Sequence, residues 1–96
     1  MTNELSLADF SDLVRESFAL AHPALPDLSL ELVEVTALPD HGGPRRPFAI
    51  TFRGPRTPLL PQNTYRFEHR TLGAVHLFIV PIGREAEGIV YEAVFN

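Results

Sequence analysis

A chain of 96 residues with a formal net charge of −4 and no cysteine has room for one domain, residues 1–96, and must hold its core without disulfides. The missing thiols exclude cysteine nucleophiles and zinc–thiolate centres. All eight basic residues are arginine, and Arg45, Arg46, Arg53 and Arg56 lie close together, but an acidic chain without a basic helix or an RNA-binding aromatic motif lacks the footprint of a nucleic-acid binder.

The start, "MTNELSLADF", has neither the basic nor the apolar region of a signal peptide. The longest apolar run, "GAVHLFIVPI", is far shorter than the roughly 20 residues a membrane-spanning helix needs. The expectation is a cytoplasmic protein with no membrane partner. Ser6 followed three residues later by Asp9 resembles a capping box, and Leu7, Phe10, Leu13 and Val14 recur at helical spacing. This predicts a short amphipathic helix over 6–15. From Ser17 to Ala21 the apolar side chains of Phe18 and Leu20 alternate with their neighbours, which is a strand period, before "HPALPD" turns the chain.

Strands and turns follow. In "LSLELVEVTAL" (28–38) the apolar parity holds to Leu32 and then shifts to Val33 and Val35, as a β-bulge or a two-sided strand would require. "PDHGGPRRP" (39–47) is a loop. "FAITFRG" (48–54) places Phe48, Ile50 and Phe52 on one face. "PRTPLLPQN" (55–63) has too many prolines for a central strand, and Leu59 and Leu60 are expected to fold over the core. Residues 65–70 and 75–82, a turn "GREAEG" (83–88), and 89–95 complete the set. The fold class is therefore mostly β (α+β). A short N-terminal helix precedes about six antiparallel strands that meander and curl into a small roll or barrel.

The hairpin "YRFEHRTLGAVHLFIVP" (65–81) holds two of the four histidines. A three-residue loop Thr71-Leu72-Gly73, with Gly73 left-handed, would set Tyr65 opposite Ile79, Phe67 opposite Leu77 and His69 opposite Val75. Those residues form a core face. The other face would carry Arg66, Arg70 and a cross-strand Glu68–His76 pair, whose polar character solubility alone explains. His69 and His76, with Glu68, His41 or His22, have no ligand motif and point to opposite faces, so no metal site is expected. No serine sits in a nucleophile elbow, "HGGP" lacks the context of a phosphate loop, and Asp40-His41 lies on a flexible Gly/Pro loop. No catalytic residue and no cofactor are expected.

Two stretches, "SLADFSDLVRESFAL" and "TYRFEHRTLGAVHLFIVPIGREAEGIVYEAVFN", together with "PFAITFRGP" between them, resemble a small uncharacterised bacterial family, a domain of unknown function of about this length. Its pattern joins an N-terminal L-x-x-F segment, a P-F-x-x-x-F-x-G-P stretch and a closing Y-E-A-V-F-N. This chain departs from it at Glu16, where members often carry Gly. The resemblance brings no catalytic residues. It implies an accessory role in a larger, phage-tail-like assembly.

The last strand supports such a role independently. "IVYEAVFN" is largely apolar on both faces, and an uncovered edge strand of that kind either closes the roll against the first strand near Phe18 or pairs with another chain. Val90, Glu92, Val94 and Phe95 are the candidate interaction residues, and the expected partner is another protein or a second copy. The leading expectation is a non-enzymatic structural or interaction module. The alternative is a small-molecule-binding barrel with Tyr65, Tyr91, Arg53 and Arg66 at its mouth. Third comes an enzyme with His69 or His76 as base, whose mark would be a histidine in a cleft beside a carboxylate.

Overall fold

The structure is a computed structural model that describes residues 5–40, 42–43 and 46–95. One short helix, α1 (Leu7–Ser11), precedes β1 (Ser17–Leu20), β2 (Ser29–Ala37), β3 (Phe48–Gly54), β4 (Asn63–His69), β5 (Gly73–Glu85) and β6 (Gly88–Phe95). The strands pair in the order β1-β2-β3-β6-β5-β4, and β4 pairs back onto β1 to close the ring. All neighbours are antiparallel.

The helix starts as its capping pattern predicts, with the Ser6 backbone N–H donating to the Asp9 carboxylate at 2.8 Å. It ends four residues earlier than the periodicity suggests. The backbone of β2 captures the chain there: Arg15 N–H donates to Leu32 O at 2.7 Å, and Leu32 N–H donates to Glu16 O at 3.0 Å. Arg15 takes a positive φ of 82° to make that turn, and the next residues enter β1 as their alternation requires. The parity change in β2 is a bulge, since its register against β3 shifts between Leu32 and Glu34.

The inward side chains form one continuous core. Phe18 and Leu20 of β1, Leu30 and Leu32 of β2, Phe48, Ile50 and Phe52 of β3, Phe67 of β4, Val75, Leu77 and Ile79 of β5, and Ile89, Tyr91 and Ala93 of β6 are all buried in it. Phe10 of α1 plugs the cluster between Phe18, Phe48 and Phe95, at ring distances of 6.3, 5.9 and 5.5 Å. Burying each side chain of this size contributes about 1.5–3 kcal/mol, which is what holds so short a helix in place.

A simple meander does not describe the connections. β3 and β4 lie on opposite sides of the ring, so the proline-studded segment 55–62 has to cross between them. Leu60 on that crossing is buried in the core, whereas Leu59 is half exposed. Two tyrosines hold the crossing down. The Tyr91 hydroxyl accepts from Leu60 N–H at 2.9 Å, and the Tyr65 hydroxyl donates to Pro61 O at 2.7 Å. Burial, with Tyr91 adding to it, raises the Tyr65 pKa above its ordinary value of 10.0 and keeps that donor protonated.

The last strand is not an edge. β6 pairs with β3 from Phe48↔Phe95 to Gly54↔Ile89 on one side and with β5 from Val80↔Glu92 to Glu85↔Gly88 on the other. It therefore neither closes against β1 nor offers an open strand to another chain along that paired length, because the β3–β4 crossing moved the closure to β1 and β4. The connection before it is also tighter than expected. β5 runs on to Glu85, and only Ala86 and Glu87 form the turn.

Candidate functional site

The hairpin of β4 and β5 keeps its expected faces but not its expected register. Tyr65 lies opposite Leu77, Phe67 opposite Val75, and His69 opposite Gly73, two residues from the predicted pairing. The reason is the His69 side chain. Its Nδ1 accepts the backbone N–H groups of Thr71 and Leu72 at 3.1 and 3.2 Å and lies 3.2 Å from the Thr71 hydroxyl, so the imidazole caps the turn it precedes. Gly73, at φ +74°, then brings the chain directly back opposite His69. As a result Glu68 faces Ala74 and Arg66 faces His76. The predicted Glu68–His76 pair gives way to an exposed Arg66–Glu68 pair at 3.2 Å along one strand.

His69 Nε2 lies 2.7 Å from Glu16 Oε1, and Arg70 reaches the other Glu16 oxygen at 3.8 Å. The imidazole is buried against the Phe18 ring, at 4.6 Å, while the Glu16 side chain is 30% exposed. With Glu16, Ser17 and Arg70 it lines a cleft of about 320 Å³. A histidine beside a carboxylate in a cleft is the arrangement named above as the mark of an enzyme. Its hydrogen bonds give it a structural task as well. Two backbone donors occupy the Nδ1 lone pair, so Nε2 carries the proton and donates it to Glu16. Both ring nitrogens are engaged, and the ring fastens the β4–β5 turn to the start of β1.

The His69 role makes a measurable difference between two variants. His69→Ala leaves two turn amides and Glu16 without their partner, and is expected to lower stability by about 1–3 kcal/mol in denaturant unfolding. Glu16→Gln keeps an acceptor for Nε2–H and is expected to cost less than about 1 kcal/mol. Equal losses for the two would show that the ion pair, not the turn cap, carries the interaction.

Sequence distance hid this pair, which spans 53 positions. The available signal was a histidine assigned to an otherwise apolar face, since a buried imidazole needs partners. The other candidates do not assemble. His22 accepts the Ala24 N–H at 3.1 Å within its own turn, and His41 lies outside the described residues. Among the described residues no three His, Asp or Glu side chains converge as metal ligands would. Tyr65 and Tyr91 hold the crossing, Arg66 pairs with Glu68, and Arg53 is on the outer surface, so these four do not form a mouth.

The larger concavity lies outside the ring. A groove of about 690 Å³ runs over the outer faces of β2, β3, β6 and the end of β5, among Val33, Glu34, Ala49, Arg53, Val90 and Glu92. Val90 and Glu92, two of the four residues singled out on the last strand, line it. Val94 is 49% exposed on the same outward face. Phe95 points the other way and stacks on Phe48 at 4.5 Å with an interplanar angle of 4°. Arg53 links three strands, its NH1 3.8 Å from Glu31 and its Nε 3.4 Å from Glu85.

The model of the family described as "Domain of unknown function (DUF6916)" matches residues 5–95. The chain belongs to that family. The match takes in every strand of the ring, so the closed sheet of this DUF6916 domain, with its His69 latch and outer groove, falls wholly within the matched length. No curated protein and no solved structure matches the chain.

Proposed function

We propose that this DUF6916 domain is a non-enzymatic interaction module, an accessory subunit of a larger assembly, and that it makes contact through the outward face of β5 and β6. One observation carries the reading: Phe78 and Ile82 of β5 and Val94 of β6 are 51%, 53% and 49% exposed. Large apolar side chains grouped on one side of a small domain mark a surface that another molecule covers. The contact is therefore made by a sheet face, not by the strand edge that the last eight residues suggest. The engaged lone pair of His69 speaks against a general base. The packed aromatic interior speaks against a ligand held inside the ring.

The test uses the full chain with an affinity tag in its host. Ile82→Asp/Val94→Asp places charge on the outer face, where folding has little stake, and should leave the unfolding midpoint within about 0.5–1 kcal/mol of the parent. Proteins that co-purify specifically with the parent should be lost from this variant. Retention of the same partners by the folded variant, or a parent that holds none, would reject the reading.

A further inference from the structure

We propose that the outer groove seats an extended, basic segment of another protein, with apolar, basic and apolar side chains at alternate positions facing the sheet. This rests on the interaction reading above and names the chemistry of its partner.

The register across the strands sets the pattern. Glu34 of β2, Thr51 of β3 and Glu92 of β6 are aligned in one row across the face. Two residues along β3 in one direction comes the row Thr36, Ala49 and Val94, and in the other direction the row Glu31, Arg53 and Val90, with Val33 of the β2 bulge also lining the groove. The acidic row is thus flanked on one side by Ala49 and Val94 and on the other by Val33 and Val90, which stand around the Arg53–Glu31 pair. Alternate residues of a strand are about 6.5–7 Å apart, and side chains two apart on an extended segment lying along β3 have the same spacing. Such a segment would place a cation over Glu34 and Glu92 and an aliphatic side chain over each neighbouring row.

Charge selects the partner further. Among the described residues that line the groove, Glu34, Glu85 and Glu92 stand against Arg53, which lies 3.4 Å from Glu85 and 3.8 Å from Glu31 outside the groove. An acidic ligand at Arg53 would also meet the carboxylates of Glu31 and Glu85, whereas the row at Glu34 and Glu92 has no cation of its own among the described residues that line the groove. A second copy is a poor occupant, because a two-fold contact through this face would set one groove with an excess of carboxylates against another. The complement is a basic segment from a different chain.

The experiment titrates the isotopically labelled full chain with the peptide V-T-R-T-V and follows backbone amide shifts. V-T-E-T-V and R-T-V-T-R serve as controls. The expected result is saturable shifts at Thr51, Val90, Glu92 and Val94 with the first peptide, none with the glutamate peptide, and weaker ones with the inverted pattern. Glu34→Gln/Glu92→Gln, which neutralises only exposed and half-buried side chains, should weaken the first peptide at least about tenfold while the unfolding midpoint holds. Absence of shifts at millimolar peptide, equal binding of the glutamate peptide, or shifts located elsewhere would overturn the proposal. If the Ile82→Asp/Val94→Asp variant loses its partners but the arginine peptide does not bind, the face is an interface of other chemistry and only this inference fails. If that variant keeps its partners, the interaction reading itself fails.

Discussion

Phe18→Ala is expected to lower the unfolding free energy by about 3–5 kcal/mol, the cost of truncating a buried phenylalanine. A domain of this length is stable by only about 5–14 kcal/mol at 0.05–0.15 kcal/mol per residue, so the variant should sit at the edge of folding at 37 °C. Three contacts place the effect at the upper end. Phe18 is fully buried, meets Phe52 edge-on at 5.3 Å, and packs on both Phe10 and the His69 imidazole. Its strand is also the weakest link of the ring. β1 has four residues, and its pairing with β4 rests on Ala19↔Glu68 and Leu20↔Phe67. Without the Phe18 ring, β1 keeps only Leu20 in the core besides its hydrogen bonds, and the cover that β1 gives to the edge of β4 is weakened. Denaturant unfolding checks the size of the loss. A value below about 1.5 kcal/mol would mean that the ring closes without an anchor in β1.

The same strand shows what a sequence of this kind reveals and what it withholds. Alternation is a local property, and it correctly separated the inward residues Phe18, Leu20, Phe48, Ile50, Phe52, Phe67, Leu77 and Ile79 from their polar neighbours. The parity change after Leu32 was legible for the same reason, and the register shift against β3 decides for a bulge over a two-sided strand. Strand order is not local. Nothing in "PRTPLLPQN" says that it crosses the ring, because its partners, the hydroxyls of Tyr65 and Tyr91, lie on distant strands. Once that crossing is known, β6 must lie between β3 and β5, and its two apolar faces are explained by an inner side in the core and an outer side at the groove. The hairpin register failed for a related reason. Turn rules weigh backbone preferences, whereas the turn after His69 is set by a side chain that accepts its amides. The candidate site was half legible: Val90, Glu92 and Val94 do face outward, but on a paired strand, and Phe95 belongs to the core.

Gly88→Ala is expected to be the most damaging small substitution in the chain, with a loss of more than about 3 kcal/mol. Gly88 closes the Ala86-Glu87 turn opposite Glu85 at a φ of +154°, which side-chain-bearing residues rarely adopt and which alone costs about 1–3 kcal/mol. Steric conflict adds to this. A Cβ there would lie 1.9 Å from Gly54 O and 3.1 Å from Gly54 C, so the obstacle is backbone and has no rotamer to change. Nor can β3 retreat. A Cβ on Gly54 would meet Leu30 Cδ2 at 2.4 Å and Tyr91 Cε2 at 3.3 Å, which shows that the core presses on that backbone from its other side. The relief has to come from parting β3 and β6 at Gly54↔Ile89, where Tyr91 also anchors the crossing through Leu60. Because 1 kcal/mol moves the midpoint of a domain this size by roughly 4–8 °C, Tm should fall by at least about 12 °C. Glu87→Ala, one residue earlier and exposed, serves as control and should stay within about 0.5 kcal/mol of the parent. A Gly88→Ala protein that melts within about 4 °C of the parent would mean that β3 and β6 do not approach each other this closely at the turn.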